Sequence, residues 1–265
     1  MCAASSVTSA LPLRLGRSRK FTSNSLKNLY SLPMSGAFFF RLIRRPAGRQ
    51  ILCGLLVCLA SGVLVRADYT LDKMLALAQQ RYGAAAVPAL RDWDRMIQES
   101  ASLSELEKLR RVNEFFNRHI TFTEDTALWG QVDYWATPLE TLGRAAGDCE
   151  DYVIAKYITL KQMQVPIEKL RLIYVRARIG GAYSTVQQAH MVLGYYAQPN
   201  AEPLILDNLI SDIRPASRRS DLFPVFSFNS DGLWVGGETN PVASATARLS
   251  RWRDVLVRMK QEGIE

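Results

Sequence analysis

The sequence is poor in cysteine and histidine, and both are unevenly placed. Of four cysteines in 265 residues, Cys2, Cys53 and Cys58 lie within the first 67, leaving Cys149 alone in the rest. A single cysteine excludes an internal disulfide framework there. Histidine occurs twice, as His119 and His190. Residues 1–67 contain no Asp or Glu, and the uncharged apolar run from Ile51 to Val65 is fifteen residues long. That is short of the roughly 20 residues a membrane-spanning helix needs. There is no internal repeat and no low-complexity tract. With 48% apolar residues the chain is not wholly disordered.

The net charge of +8 suggests, at face value, a basic protein seeking nucleic acid or an anionic surface. Ten of the 33 Lys/Arg fall in residues 1–67, which leaves 23 against all 25 acids, a net charge of −2, for residues 68–265. The positive excess therefore belongs to the first segment, and no nucleic-acid partner is expected. That segment reads as a leader. Arg41, Arg44, Arg45 and Arg49 precede the apolar run, and Val65-Arg66-Ala67 puts small residues at −3 and −1. Cleavage is expected after Ala67, with an uncleaved anchor as the alternative. Starting at Met34 gives a signal of ordinary shape. The expected domains are 1–67, a signal or leader segment, and 68–265, one domain large enough to bury roughly 70% of its unfolded surface.

The first half of the body has helical periodicity. Leu71, Met74, Leu75 and Leu77 begin one helix that Gly83 ends. Ser102-Leu103-Ser104-Glu105 reads as a capping box ahead of Leu106, Leu109, Val112, Phe115 and Phe116. Thr137-Pro138-Leu139-Glu140 combines an N-cap, a proline at N1 and a glutamate at N3. Gly143 and Gly147 bracket a loop before a helix from about Cys149 to Met163. The period then changes. Leu170–Arg178, His190–Tyr196 and Leu204–Leu206 read as strands separated by turn-rich stretches, Ile179–Ser184 and Gln198–Pro203. A last helix is expected around Thr246–Gln261. Helices first and strands after give an α+β fold, a helical N-terminal half packed on an antiparallel sheet.

Cys149 opens a helix whose positions Val153, Ile154, Tyr157, Ile158 and Leu160 mark it as buried. A thiol in such a first turn meets unpaired N–H groups and the positive end of the dipole, which favour thiolate. His190 begins an apolar strand 41 residues later, and Asp207 ends another 17 beyond that. Together they offer a nucleophile, its base and a carboxylate to orient the imidazole. Taken singly, a lone Cys is more often a small buried hydrophobe and a lone His structural. His119, after Phe115 and Phe116, reads as helix-terminal. Spacing excludes the usual papain arrangement, with His about 130–150 residues after Cys. Asp148, Glu150 and Asp151 crowd the thiol with negative charge, which raises a thiol pKa. They suit a helix start as N-cap, N2 and N3, or they bind a hard cation, Ca²⁺ first among them. Trp129, Tyr134 and Trp135, just ahead, are candidates for an interface or for core packing.

At these residues the chain resembles the bacterial transglutaminase-like cysteine proteinases. The resemblance rests on Trp135-Ala-Thr-Pro-Leu-Glu-Thr-Leu142, Gly147-Asp-Cys-Glu-Asp-Tyr152, Ala189-His-Met-Val-Leu193 and Pro203-Leu-Ile-Leu-Asp-Asn208, and extends through Pro215–Arg219 and Phe228–Trp234. It implies a papain/transglutaminase-like fold and a Cys149–His190–Asp207 triad. It also implies calcium dependence through the acids at the cysteine, Asp148 and Glu150 foremost, and a periplasmic location. The implied substrate is a large repeat adhesin, cut near its N-terminus at a paired-alanine site to disperse a biofilm. The implied partner is the periplasmic domain of an inner-membrane cyclic-di-GMP receptor, which sequesters the enzyme. The rivals are an acyl-transferring transglutaminase, a murein peptidase, and a catalytically dead regulatory binding module.

Overall fold

The structure, a computed structural model, describes residues 69–235 and 240–265. The leader, its start at Met34 and its cleavage after Ala67 lie outside the described residues. Among the described residues no helix is long and apolar enough to cross a membrane.

Three helices come first: α1 (Leu71–Tyr82), α2 (Val87–Glu99) and α3 (Glu105–His119). Gly83 ends α1 with φ 82°, a left-handed conformation that glycine adopts without steric cost. The capping box of α3 sits two residues beyond its expected place. Ser104 is the N-cap, and its backbone N–H donates to Glu107 at 3.1 Å. Both serines have a glutamate three residues on, Glu105 for Ser102 and Glu107 for Ser104, and the reciprocal box forms at the second. Next come β1 (Thr121–Phe122), α4 (Asp125–Leu128), α5 (Pro138–Arg144), β2 (Ala146–Gly147) and α6 (Cys149–Gln162). Thr137 and Glu140 cap α5 reciprocally, as expected. Gly143 falls inside α5 rather than in the following loop, so the connection to α6 is a four-residue stretch, 145–148, that includes β2.

Helix α6 is the centre of the fold. Every residue from Cys149 to Leu160 is buried, because α3 and α5 pack on it from one side and β3 (Leu170–Arg178) and β4 (Gln187–Tyr195) from the other. A helix enclosed in this way has no polar stripe to show. The strands continue with β5 (Leu204–Leu206), β6 (Arg214–Pro215), β7 (Leu222–Phe228) and β8 (Leu233–Val235), and α7 (Ala245–Arg248) and α8 (Ser250–Glu262) complete the order. The sheet runs β6-β5-β4-β3-β7-β8 with antiparallel pairing throughout. The strand at 170–178 has the expected bounds. The one expected at 190–196 begins earlier, at Gln187, and β7 was not anticipated. Its Pro224 sits opposite Val175, where the register against β3 shifts. Proline lacks the ladder donor and is tolerated at such an irregularity. The final helix is split at Leu249. At the far ends, Tyr69 and Ile264 are bridge partners, and Thr70 N–H donates to the Gly263 carbonyl at 2.8 Å.

Candidate active site

Cys149 is the first residue of α6 and is buried, with Sγ 2.9 Å from Glu150 Oε2. The chemistry of the site is that of the reduced thiol. His190 lies on β4 opposite Val175. Its Nε2 is 2.8 Å from Asp207 Oδ1, with both side chains buried. Since α6 lies directly on β4, Cys149 and His190 belong to elements in contact. His119, by contrast, ends α3, stacks on Phe115 and places Nδ1 2.8 Å from its carbonyl. It is the helix-terminal residue its position suggested.

Asp207 is the most heavily supported side chain of the site. Oδ1 also accepts the Leu209 N–H at 3.0 Å, and Oδ2 accepts Arg219 Nη2 at 2.7 Å. Burial alone would raise its carboxyl, but bonds from His190, Leu209 and Arg219 outweigh it and hold the group far below the ordinary carboxylate range. Asp207 is thus a fixed anion. Its main-chain carbonyl accepts from Asn117 Nδ2 at 2.8 Å and from Lys156 Nζ at 3.2 Å. Lys156 is fully buried on α6, and its ammonium also reaches Asn113 Oδ1 at 2.8 Å and Asn117 Oδ1 at 2.7 Å. Burial pulls it down to about 7, with the Asp207 charge opposing. Sequence reasoning did not identify Arg219, Lys156, Asn113 or Asn117. The one available signal was a lysine inside a helix otherwise predicted to be wholly buried.

The acids at the helix start occupy different positions. Asp151 spends both oxygens on backbone, Oδ1 on Ala136 N–H at 2.7 Å and Oδ2 on Asp148 N–H at 3.3 Å. Gly147 makes room for this: a Cβ there would stand 2.7 Å from Asp151 Cβ. Carboxylate oxygens of Asp125, Asp148 and Asp151 all lie within 4.8 Å of one another, and ligand atoms of Asp148, Cys149 and Glu150 form a second such group. Asp125 was not foreseen. It arrives because β1 pairs in parallel with β2, carrying the start of α4 alongside the start of α6. Oδ1 of Asp125 and Oδ1 of Asp148 are buried without a hydrogen-bond partner.

Crowded carboxylates of this kind resist ionisation. Burial, aided by the charge of Asp133, pushes Asp125 up to about 6. Burial and then the Asp125 charge push Asp148 up to about 7. Glu150 and Asp151 stand well above the ordinary value, through burial first and the Asp148 charge second. Two orphaned, buried carboxylate oxygens beside further carboxylates form the donor set of a hard cation, which prefers oxygen ligands and cancels their mutual repulsion. The cluster therefore fits Ca²⁺.

The aromatic residues ahead of α6 are packed rather than displayed. Trp135 is buried and stacks on Phe228, with centroids 5.7 Å apart. Trp129 leans on Tyr134 at 4.8 Å, and Tyr134 Oη donates to Glu140 at 2.9 Å.

Residues 91–235 match the family model of the bacterial transglutaminase-like cysteine proteinases, BTLCP. Among solved structures, LapG of Legionella pneumophila is similar at 36% identity with a TM-score of 0.61, covering 72% of this chain and 97% of that one. Its calcium-bound form aligns at 37% identity, TM-score 0.62, covering 72% and 99%. The EGTA-treated form gives 36% and 0.62, covering 72% and 97%. Among curated proteins none matches.

Proposed function

The chain belongs to the bacterial transglutaminase-like cysteine proteinases, and on that premise we propose that it is a periplasmic, calcium-dependent endopeptidase. In this reading it cuts the N-terminal region of a large surface adhesin, so releasing cells from a biofilm, and is held back by a cyclic-di-GMP-responsive membrane receptor. The observation that carries the chemistry is the imidazole of His190 bonded through Nε2 to Asp207, whose carboxyl is held below the ordinary carboxylate range. That bond leaves Nδ1 as the nitrogen that exchanges a proton with Cys149.

In the mechanism, His190 takes the proton of the reduced Cys149 thiol, and the thiolate attacks the scissile carbonyl. Backbone N–H groups at the start of α6 hold the oxyanion, helped by the positive end of the helix dipole. The imidazolium then protonates the leaving amine, and water hydrolyses the thioester, restoring the thiol. Asp207 fixes the tautomer and stabilises the imidazolium throughout.

Asp125, Asp148, Glu150 and Asp151 are the residues that would hold calcium. The ion would supply positive charge that lets the cluster ionise without repelling the thiolate. The residues themselves set the first turn of α6, with Asp151 bonded to Ala136 and Asp148.

The test is incubation of the reduced protein with an N-terminal adhesin fragment, with and without Ca²⁺, followed by mass spectrometry. One cut beside paired alanines, lost in Cys149→Ala and in EGTA, supports the reading. An uncut fragment overturns it. Incorporation of a labelled primary amine without hydrolysis would instead identify a transglutaminase. Release of murein peptides would point to a peptidase of the cell wall, and full biological effect from Cys149→Ser to a binding module.

A further inference from the structure

The two faces of the sheet differ. Along β3, Leu170, Leu172 and Tyr174 turn toward the helices and the main core. Arg171, Ile173 and Val175 alternate onto the other face, as a period of two requires. There Ile173, Val175, Val192 and Ile205 build a separate, smaller apolar cluster. These four residues line a cavity of about 480 Å³, within the size range of small-molecule sites.

The same cavity is lined by two arginines in different electrostatic states. Arg219 is neutralised by Asp207 and Asp221, at 2.7 and 2.8 Å. Arg171 is 8% exposed, yet among the described residues no carboxylate forms an ion pair with it, and its Nε is buried without a hydrogen-bond partner. Its neighbours are aromatic, and the Tyr196 hydroxyl also hydrogen-bonds it. The guanidinium carbon lies 4.1 Å from the centroid of Trp234 and 4.7 Å from that of Tyr196. Stacking and the Tyr196 hydroxyl offset part of the desolvation but supply no anion, and none pairs with the guanidinium among the described residues. A buried charge lacking a counter-charge is costly, and native structures pair it or coordinate it.

We propose that this cavity is a binding site for a small organic carboxylate with an apolar body. The carboxylate would pair with the edge of Arg171, for which its geometry is matched. The hydrocarbon would lie against Ile173, Val175, Val192 and Ile205. A cation with no counter-charge among the described residues calls for one negative charge. A doubly charged phosphate would leave its second charge facing apolar walls.

The cavity lies on the face of the sheet opposite α6, so the proposal goes beyond the protease reading and is tested without catalysis. Octanoate is titrated calorimetrically into the purified chain below its micelle concentration, with octanol as the uncharged counterpart. Expected are saturable one-to-one binding of octanoate, at least tenfold weaker binding of octanol, and at least tenfold weaker octanoate binding by Arg171→Met. Ser227→Trp, which fills the cavity from β7 and leaves Arg171 in place, should also abolish binding; it decides the matter if Arg171→Met does not fold. Absence of saturable heat, equal binding of octanol, or unchanged affinity in the folded variants overturns the proposal. None of these results bears on whether Cys149 cleaves a peptide bond.

Discussion

Lys156, two turns along α6 from Cys149, donates its ammonium to the main-chain carbonyl of Asp207 at 3.2 Å. The helix that carries the nucleophile is thereby fastened to the strand end that carries the orienting carboxylate. A buried amine shared among Asp207, Asn113 and Asn117 is a structural tie rather than a solvated charge.

Replacing Lys156 by Met should therefore act on both stability and rate. Asn113 Oδ1 and Asn117 Oδ1 lose the Lys156 donor while the Asp207 carbonyl keeps Asn117 Nδ2, and each buried orphan costs about 1–3 kcal/mol. Urea unfolding should show a loss of at least ~2 kcal/mol, and kcat should fall while KM changes little. Unchanged kcat in a folded variant would separate the tie from the chemistry.

Arg219 holds Asp207 by its carboxylate. Arg219→Met leaves a buried anion without its cation, a change that costs about 3–5 kcal/mol for buried pairs. It should also release Asp207 from its depressed pKa, so that the acid limb of the activity–pH profile moves upward. Arg219→Lys, which keeps the charge but not the fork, should recover part of both.

The acidic cluster sets a pH dependence of stability that calcium reverses. A carboxyl whose pKa is higher in the folded state binds its proton more tightly there. It stabilises the fold fully below its unfolded value of 3.8 and loses that contribution as pH rises through about 6 for Asp125 and about 7 for Asp148. In EGTA, the melting temperature should fall between pH 5 and pH 7. Lys156, lowered to about 7 from 10.5, adds stability only above that window. Calcium at about 100 times its Kd contributes about 2.7 kcal/mol, or roughly 5–10 °C for a domain of this size, mainly at neutral pH. Asp148→Asn should remove the calcium response, and Asp125→Asn should weaken it. A melting temperature indifferent to EGTA in all of them would assign the cluster to helix capping alone.

Gly147→Ala is expected to damage the site although it adds one methyl group. Its Cβ would collide with Asp151 at 2.7 Å, and moving Asp151 breaks its bonds to Ala136 and Asp148. Calcium affinity and kcat should fall together, and circular dichroism should show the helices retained.

The sequence was most readable where chemistry is local. β3 announced itself as an unbroken β-rich run, and Thr137-Pro138 marked the start of α5. Cys149 and Asp207 stood out by residue type at the ends of their elements, and His190 as one of two histidines, although it lies within β4 rather than at its start. Less was readable where distant segments meet. β7 contains Pro224, which demotes a strand pattern unless the irregularity opposite Val175 is known. Asp125 reaches Asp148 only through the β1–β2 pairing, and Arg219 reaches Asp207 only across the sheet edge. Lys156 looked like an interruption in an apolar helix, because its partners Asn113 and Asn117 lie on α3.

The bridge between Tyr69 and Ile264 gives the fold a topological freedom. Since the two ends of the described body lie side by side, a short linker could join them. New termini could then be opened at the Gly180-Gly181 turn, which is exposed. Such a circular permutant should keep every strand pairing while reversing the order in which His190 and Cys149 are synthesised. The arrangement of the site is independent of the direction in which the chain visits it.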